Sequence, residues 1–347
     1  MRVVITGGGG FLGHQLCEAL IRIGSLLGSD SEPHAIERIV LLDSYFTREP
    51  PRIPERSEGI EVWKVVGSIE SHDAIDQAIG MDRPQSSQQV VIFHLASMVS
   101  GECEERFDDA IRVNLQGGLK LLESARRIGP ACRFVFASSI ACFGGPAMQD
   151  PCSDWTKLTP QTTYGMTKTI GELLVSDYTR KGFLDGRSVR LPTVIIRPGK
   201  PNTAASSWAS GMFREPLSGI DCLLPVHLEQ RHPMTSYRTV IDSLVAIGNL
   251  HSQQIGQDRS IGLPAMSITP AMAQKALAQA AGGNHGIVLP GQLGQIVLSP
   301  DRRIQGIVDQ WPVAIDATRA LGLGLPSPPN LIEIIRNFVD DFMSQDR

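Results

Sequence analysis

The sequence has no basic run and no lysine/arginine stripe. Its charges are mixed and sum to −4 at pH 7, which argues against nucleic acid or an anionic membrane as partner. No apolar run approaches the ~20 residues needed to cross a bilayer. The first apolar strand begins at residue 2, so no signal peptide is expected. Six cysteines, Cys17, Cys103, Cys132, Cys142, Cys152 and Cys222, are scattered without a CxxC pair, so reduced thiols in a cytoplasmic protein are expected. The eight histidines show neither HxxxH nor HExxH spacing, and no metal site is expected. Internal repeats and low-complexity tails are also missing. The 347 residues suffice for one large or two modest domains with a real core.

What is present is alternation. Strand-like runs at 2–6, 38–42, 60–66, 90–95, 132–138 and 188–197 are interleaved with helical stretches at 11–23, 71–80, 103–127 and 164–181. Several of the strands are continuous apolar runs, as expected where helices cover both sheet faces. Repeated alternation of this kind predicts an α/β fold with a doubly wound parallel sheet. Ligands bind such sheets at the carboxyl ends of the strands, where Gly7, Asp43, Ser68, Ala96, Ser139 and Thr193 fall. After Arg197 the pattern loosens. Residues 1–199 are expected to form the nucleotide-binding domain and 200–347 a smaller substrate-binding lobe, with the chain able to re-enter the sheet.

The first strand ends in Gly7-Gly8-Gly9-Gly10-Phe11-Leu12-Gly13. A strand, this glycine spacing and an amphipathic helix together make the dinucleotide fingerprint of a Rossmann-type domain. Gly7 permits the tight turn, Gly10 lets the backbone approach the pyrophosphate, and Gly13 lets helix and strand pack. The helix start offers unpaired N–H groups to the phosphates. No Gly-Lys-Ser/Thr follows, so a P-loop is excluded. The second strand ends in Asp43, whose carboxylate suits the adenosine ribose hydroxyls and repels a 2′-phosphate; NAD is therefore expected over NADP. The long gap between Gly13 and Asp43 is assigned to an enlarged loop over 24–37.

Tyr164 and Lys168 are four residues apart on a helix and share a face. A free phenol ionises near ~10, and a neighbouring ammonium together with a positive nicotinamide ring favours the phenolate. Ser139, or its neighbour Ser138, ends a strand where a hydroxyl can hold the substrate oxygen. Hydride then leaves a carbinol carbon for the cofactor.

These motifs, with Phe93–Ala96, Asn114 and Ser138–Gly144, resemble the extended short-chain dehydrogenase/reductases. The resemblance implies Tyr164 as proton acceptor, Lys168 and Ser139 as its partners, and Asn114 as a supporting catalytic residue. It also implies NAD contacts from Phe11, Leu12, Leu95, Ala96 and Pro192, and a homodimer. Ser68 stands where the family often has Asp, and Phe143 where it often has Tyr. Thr193 replaces the substrate-binding Asn of nucleotide-sugar enzymes. Stretches at 97–101, 143–146, 158–161, 196–206, 210–217 and Arg231-His232 resemble a branch that oxidises four-carbon sugar acids at C2 to 2-oxo acids. Such a substrate needs a cation for its carboxylate, for which Arg197, Lys200, Arg231 and Arg238 are candidates. Ser100, Ser139, Tyr164, Thr193 and Asn202 are candidates for reading its hydroxyls. A nucleotide-sugar epimerase or dehydratase with tightly held NAD is the alternative; a non-catalytic dinucleotide sensor would not need Tyr164 and Lys168.

Overall fold

The computed structural model describes residues 1–46, 59–80, 89–201, 204–282, 287 and 291–343. Seven parallel strands form the central sheet, in the order Ser260–Gly262, Asp185–Leu191, Cys132–Ser139, Val90–His94, Arg2–Thr6, Arg38–Asp43, Glu61–Val66. The first strand lies between Arg38–Asp43 and Val90–His94, so the strand order reverses beside it. That switch point opens a crevice above the strand ends.

Alternation along the strands builds two cores, one on each sheet face. Val3 and Ile5 pack with Leu16, Leu20, Phe93 and Val135 on one side. Val4 packs with Val40, Ile92, Phe134 and Phe136 on the other. Residues beyond 200 complete the first of these layers. The helix Tyr237–Gly248 packs beside Phe11–Ile23, and Ser260–Gly262 re-enters the sheet at its edge. A separate core, with Trp208, Phe213, Met234, Leu277 and Phe338, defines the C-terminal lobe.

Three elements differ from the sequence expectation. The run 188–197 is two strands, because Pro192, which has no N–H for a ladder, divides Asp185–Leu191 from Thr193–Ile195. Thr193–Ile195 leaves the main sheet and pairs with His232–Ser236 in a small sheet of the lobe. The helix expected over 103–127 is broken into Ser100–Glu105, Phe107–Ala110, a π-helical turn Ile111–Gly117, and Gly118–Ile128; Arg106 has non-helical dihedrals. The loop over 24–37 contains a short hairpin, Ser25–Leu27 with Pro33–Ala35.

Beneath the sheet, Asp185 is shared by the buried guanidinium groups of Arg133, Arg187 and Arg259. Arg133 and Arg187 also donate to the carbonyls of Gly248 and Ile247. They thereby satisfy the end of helix Tyr237–Gly248, where positive charge is favoured. No helix among the described residues is long and apolar enough to cross a membrane.

Candidate active site

The glycine loop is shaped by contacts that only glycine allows. Gly7 has φ +74°, and a Cβ there would lie 2.8 Å from the Ala96 nitrogen. A Cβ on Gly13 would lie 2.3 Å from the Gly7 carbonyl oxygen, so the helix Phe11–Ile23 rests directly on the turn. Gly10 caps that helix without a side chain, leaving its first N–H groups to a ligand. Asp43 Oδ2 accepts the Gly9 N–H at 3.0 Å, which joins the carboxylate to the loop. Leu95 and Ala96 follow the neighbouring strand, and the Ala96 N–H donates to Thr6 Oγ1 at 3.3 Å. The donor set suits a dinucleotide: a side-chain-free cradle at a helix start, with an acidic group at the next strand end. Ser68 is turned to its own loop, where its hydroxyl donates to Glu70 at 3.0 Å. The Phe11 ring packs on Tyr237 and Phe342, while Leu12 reaches the catalytic cavity.

The helix Thr163–Arg180, which carries Tyr164 and Lys168, starts at Thr162, whose hydroxyl accepts the Gly165 N–H at 3.0 Å. Gly165 lies close against the Ala141 backbone, with room for no side chain, so the helix packs tightly against the end of the Cys132–Ser139 strand. That contact brings Tyr164 and Ser139 into the wall of one cavity, while Ser139 Oγ accepts the Ala141 N–H at 3.1 Å. Ser138 is committed elsewhere, to the buried Glu172, which also pairs with Arg190. Lys168 is buried, donates to the Ala137 carbonyl at 2.8 Å, and has its Nζ 5.5 Å from the Tyr164 ring centre. Asn114, in the π-helical turn, accepts from the Met98 N–H at 2.8 Å and donates to the Met98 carbonyl at 3.2 Å. It pins the backbone between the cofactor crevice and Ser100.

Burial decides the proton affinities here. It pushes the Tyr164 phenol up to about 12, with Ser139 and Arg197 pulling the other way. It also pushes the Lys168 ammonium down to about 8. Desolvation disfavours both charged forms and outweighs the groups the protein supplies; of the two charges expected to favour the phenolate, only the Lys168 ammonium belongs to the protein.

Tyr164 and Ser139 open into a cavity of about 180 Å³. Ser100, Pro192, Thr193 and Arg197 line it, and Arg197 is the one cation among the described lining residues. Arg231 is exposed and does not line it, Lys200 is exposed, and Arg238 pairs with Asp341. Asn202 lies outside the described residues. His232 and Trp311 also form the wall; neither was among the candidate site residues. His232 carried one usable sign, its place beside Arg231 in a polar stretch between apolar ones. Trp311 carried none.

Comparison with known proteins accords with this geometry. Residues 3–262 match the model of the "NAD dependent epimerase/dehydratase family". The chain belongs to that family. A D-erythronate dehydrogenase from Cupriavidus necator is 41% identical over 98% of both chains. One from Haemophilus influenzae is 36% identical, over 98% of this chain and 99% of that protein. The crystal structure of a nucleoside-diphosphate-sugar epimerase from Agrobacterium tumefaciens superposes with a TM-score of 0.82 at 34% identity, covering 99% of this chain and 94% of that one. The protein is thus an NAD-dependent oxidoreductase on a Rossmann-type fold, with NAD as cofactor.

Proposed function

We propose that this protein oxidises a four-carbon sugar acid of the D-erythronate type at C2, giving the 2-oxo acid and NADH. The observation that carries the reading is the small cavity shared by the Tyr164–Ser139 pair and the cation Arg197. Arg197 is half-buried and has no carboxylate partner among the described residues; it suits a substrate carboxylate. Ser139 holds the C2 hydroxyl while Tyr164 removes its proton, and the hydrogen on C2 departs as hydride. Bound NAD supplies the hydride acceptor and a positive ring charge beside the phenol. Ser100 and Thr193 face the remaining hydroxyls, Pro192 lies beside the nicotinamide position, and Asn114 holds the neighbouring loop.

The proton affinity of Tyr164 sets what its neighbours must achieve. Moving a phenol from about 12 to neutrality requires about 7 kcal/mol. One unit charge ~4 Å away in an effective dielectric of ~20 contributes about 4 kcal/mol. The value of about 12 already includes Arg197 and the other groups of the protein, so the greater part of the difference would have to come from the positive ring of bound NAD.

The nucleotide-sugar alternative is disfavoured by the adjoining cavity. That space, about 500 Å³, shares Ser100 and Ala204 with the first and is lined by Glu104, Glu105, Glu215, Asp221 and Asp301. Arg303, also in its wall, lies 3.6 Å from Glu105. A diphosphate placed there would meet like charge, which costs several kcal/mol.

Mixing the protein with NAD and D-erythronate is expected to raise absorbance at 340 nm. No signal with any tetronate or longer aldonate would overturn the reading. The same reading makes the molecule a cytoplasmic homodimer, supported by six unpaired, buried cysteines and by exposed Leu119 and Leu173 on adjacent helices. Leu173→Asp is expected to yield monomers in light scattering.

A further inference from the structure

His232 has unfinished hydrogen bonding. It begins the strand His232–Ser236, exposes no surface to solvent, and lines the cavity that Tyr164 and Ser139 share. Its Nε2 is 2.6 Å from the Thr193 hydroxyl. Its Nδ1 is buried and has no hydrogen-bond partner among the described residues. Trp311 and Trp208 hold the ring, with centres 5.2 Å and 5.9 Å away. Burial pushes the imidazole down to about 3, which favours the neutral ring at working pH.

Buried ring nitrogens without partners are rare because the lost hydration is not replaced. In the wall of a binding cavity, a ligand group can complete the set. A neutral imidazole has one donor and one acceptor. When Nε2–H donates to Thr193, Nδ1 needs a donor; when Thr193 donates to Nε2, Nδ1 needs an acceptor. A hydroxyl serves in both cases, whereas a carboxylate serves only in the second and already has Arg197.

We propose that His232, oriented by Thr193, is a specificity-determining residue whose Nδ1 binds a substrate hydroxyl on a carbon that is not oxidised. The inference rests on the sugar-acid reading above and identifies which feature of the acid is selected. Two amide substitutions separate the ring's two bonds. The Asn amide occupies roughly the place of Nδ1, and the Gln amide that of Nε2. His232→Gln therefore keeps the Thr193 bond and loses the ligand bond; His232→Asn does the reverse.

The experiment compares kcat/KM for D-erythronate with values for its 3-deoxy and 4-deoxy counterparts. The native protein is expected to prefer D-erythronate over one deoxy acid by about a hundredfold or more, since a site built for a hydroxyl rejects its absence strongly. H232Q should reduce that preference to about threefold, with NADH affinity unchanged, and H232N should retain most of it. A folded H232Q with native preference overturns the inference, as does a native protein indifferent to both deoxy acids. If H232Q does not fold, H232N, which gives up the Thr193 bond and keeps the group at the Nδ1 position, must by itself retain most of the native preference; a preference lost in H232N refutes the inference. A native protein inactive on every sugar acid removes the underlying reading and this one with it, whereas an active native protein with a normal H232Q removes only this one.

Discussion

Lys168 is a buried ammonium, and its replacement by methionine should stabilise the protein while crippling it. The unfolded lysine ionises at 10.5 and the folded one at about 8. At about 1.4 kcal/mol per pH unit, keeping the charge inside costs about 3 kcal/mol at neutral pH. Lys168→Met preserves the stem length and removes that cost. It also deletes the hydrogen bond to the Ala137 carbonyl, a loss of about 1 kcal/mol. The variant should therefore be about 2 kcal/mol more stable than the native protein at pH 7.

The sign reverses with pH. Because the folded value is depressed, the unfolded chain binds more protons between pH 8 and 10.5, and native stability rises across that window. By its upper end the native lysine is neutral and its penalty is gone. The variant is then about 1 kcal/mol less stable, through the missing hydrogen bond. Urea midpoints of both proteins at pH 7, 8, 9 and 10.5, without cofactor, read the difference directly. Parallel curves, or a variant less stable at pH 7, would refute the reasoning that burial governs this site.

Tyr164→Phe should lower turnover by about a thousandfold, within the range of general-base catalysis, and leave NADH binding by fluorescence intact; substantial residual activity means another group is the base. Asp43→Asn keeps an acceptor for the Gly9 N–H but removes the charge, so the ratio of kcat/KM for NAD over NADP should fall by about tenfold; an unchanged ratio places Asp43 away from the ribose. Arg197→Met should raise KM for the sugar acid by about tenfold to a hundredfold, the scale of a charged hydrogen bond, with little change in kcat; a native KM shows that the carboxylate is held elsewhere. Asp185→Asn leaves Arg133, Arg187 and Arg259 without their shared carboxylate and should cost about 3–5 kcal/mol in urea unfolding; a loss below ~1 kcal/mol would show that the cluster is held by its carbonyl contacts.

The parts of this structure legible in the sequence are those where local pattern and tertiary demand coincide. Strands such as Cys132–Ser139 are buried on both faces, so their apolar runs identify them without further context. The glycine loop is legible because a Cβ on Gly7, Gly8, Gly9 or Gly13 would lie within 3.0 Å of backbone atoms. The proton affinity of Tyr164 was not legible in the same way. Four-residue spacing reports that Tyr164 and Lys168 share a helix face, but says nothing of how much water is removed from either. The substrate wall is harder still. His232 and Thr193 meet across 39 residues through a strand pairing that exists only because Pro192 diverts the chain out of the main sheet. Trp311 joins from a loop with no periodicity to read. Ser68 is an intermediate case: its engagement with Glu70 is a two-residue local bond that the sequence did permit.

Burial of Tyr164 and Lys168 together has a chemical consequence that neither shift has alone. A phenol held near 12 is neutral at pH 7, while an ammonium held near 8 is still mostly charged there, so the protein by itself keeps the phenol protonated. Removing the phenol's proton would leave a phenolate beside the ammonium in a dry site, where attraction is strong but each charge is poorly solvated. A further positive charge tips that balance, because it stabilises the phenolate through the same low dielectric that penalised it. Arg197, already acting on Tyr164, cannot serve fully once a carboxylate neutralises it. The extra charge must therefore come from the crevice built by Gly7, Gly13 and Asp43, and base strength becomes conditional on what that crevice holds. On the proposed reading, the glycine loop would do more than position a cofactor: the charge it holds would set when Tyr164 becomes a base.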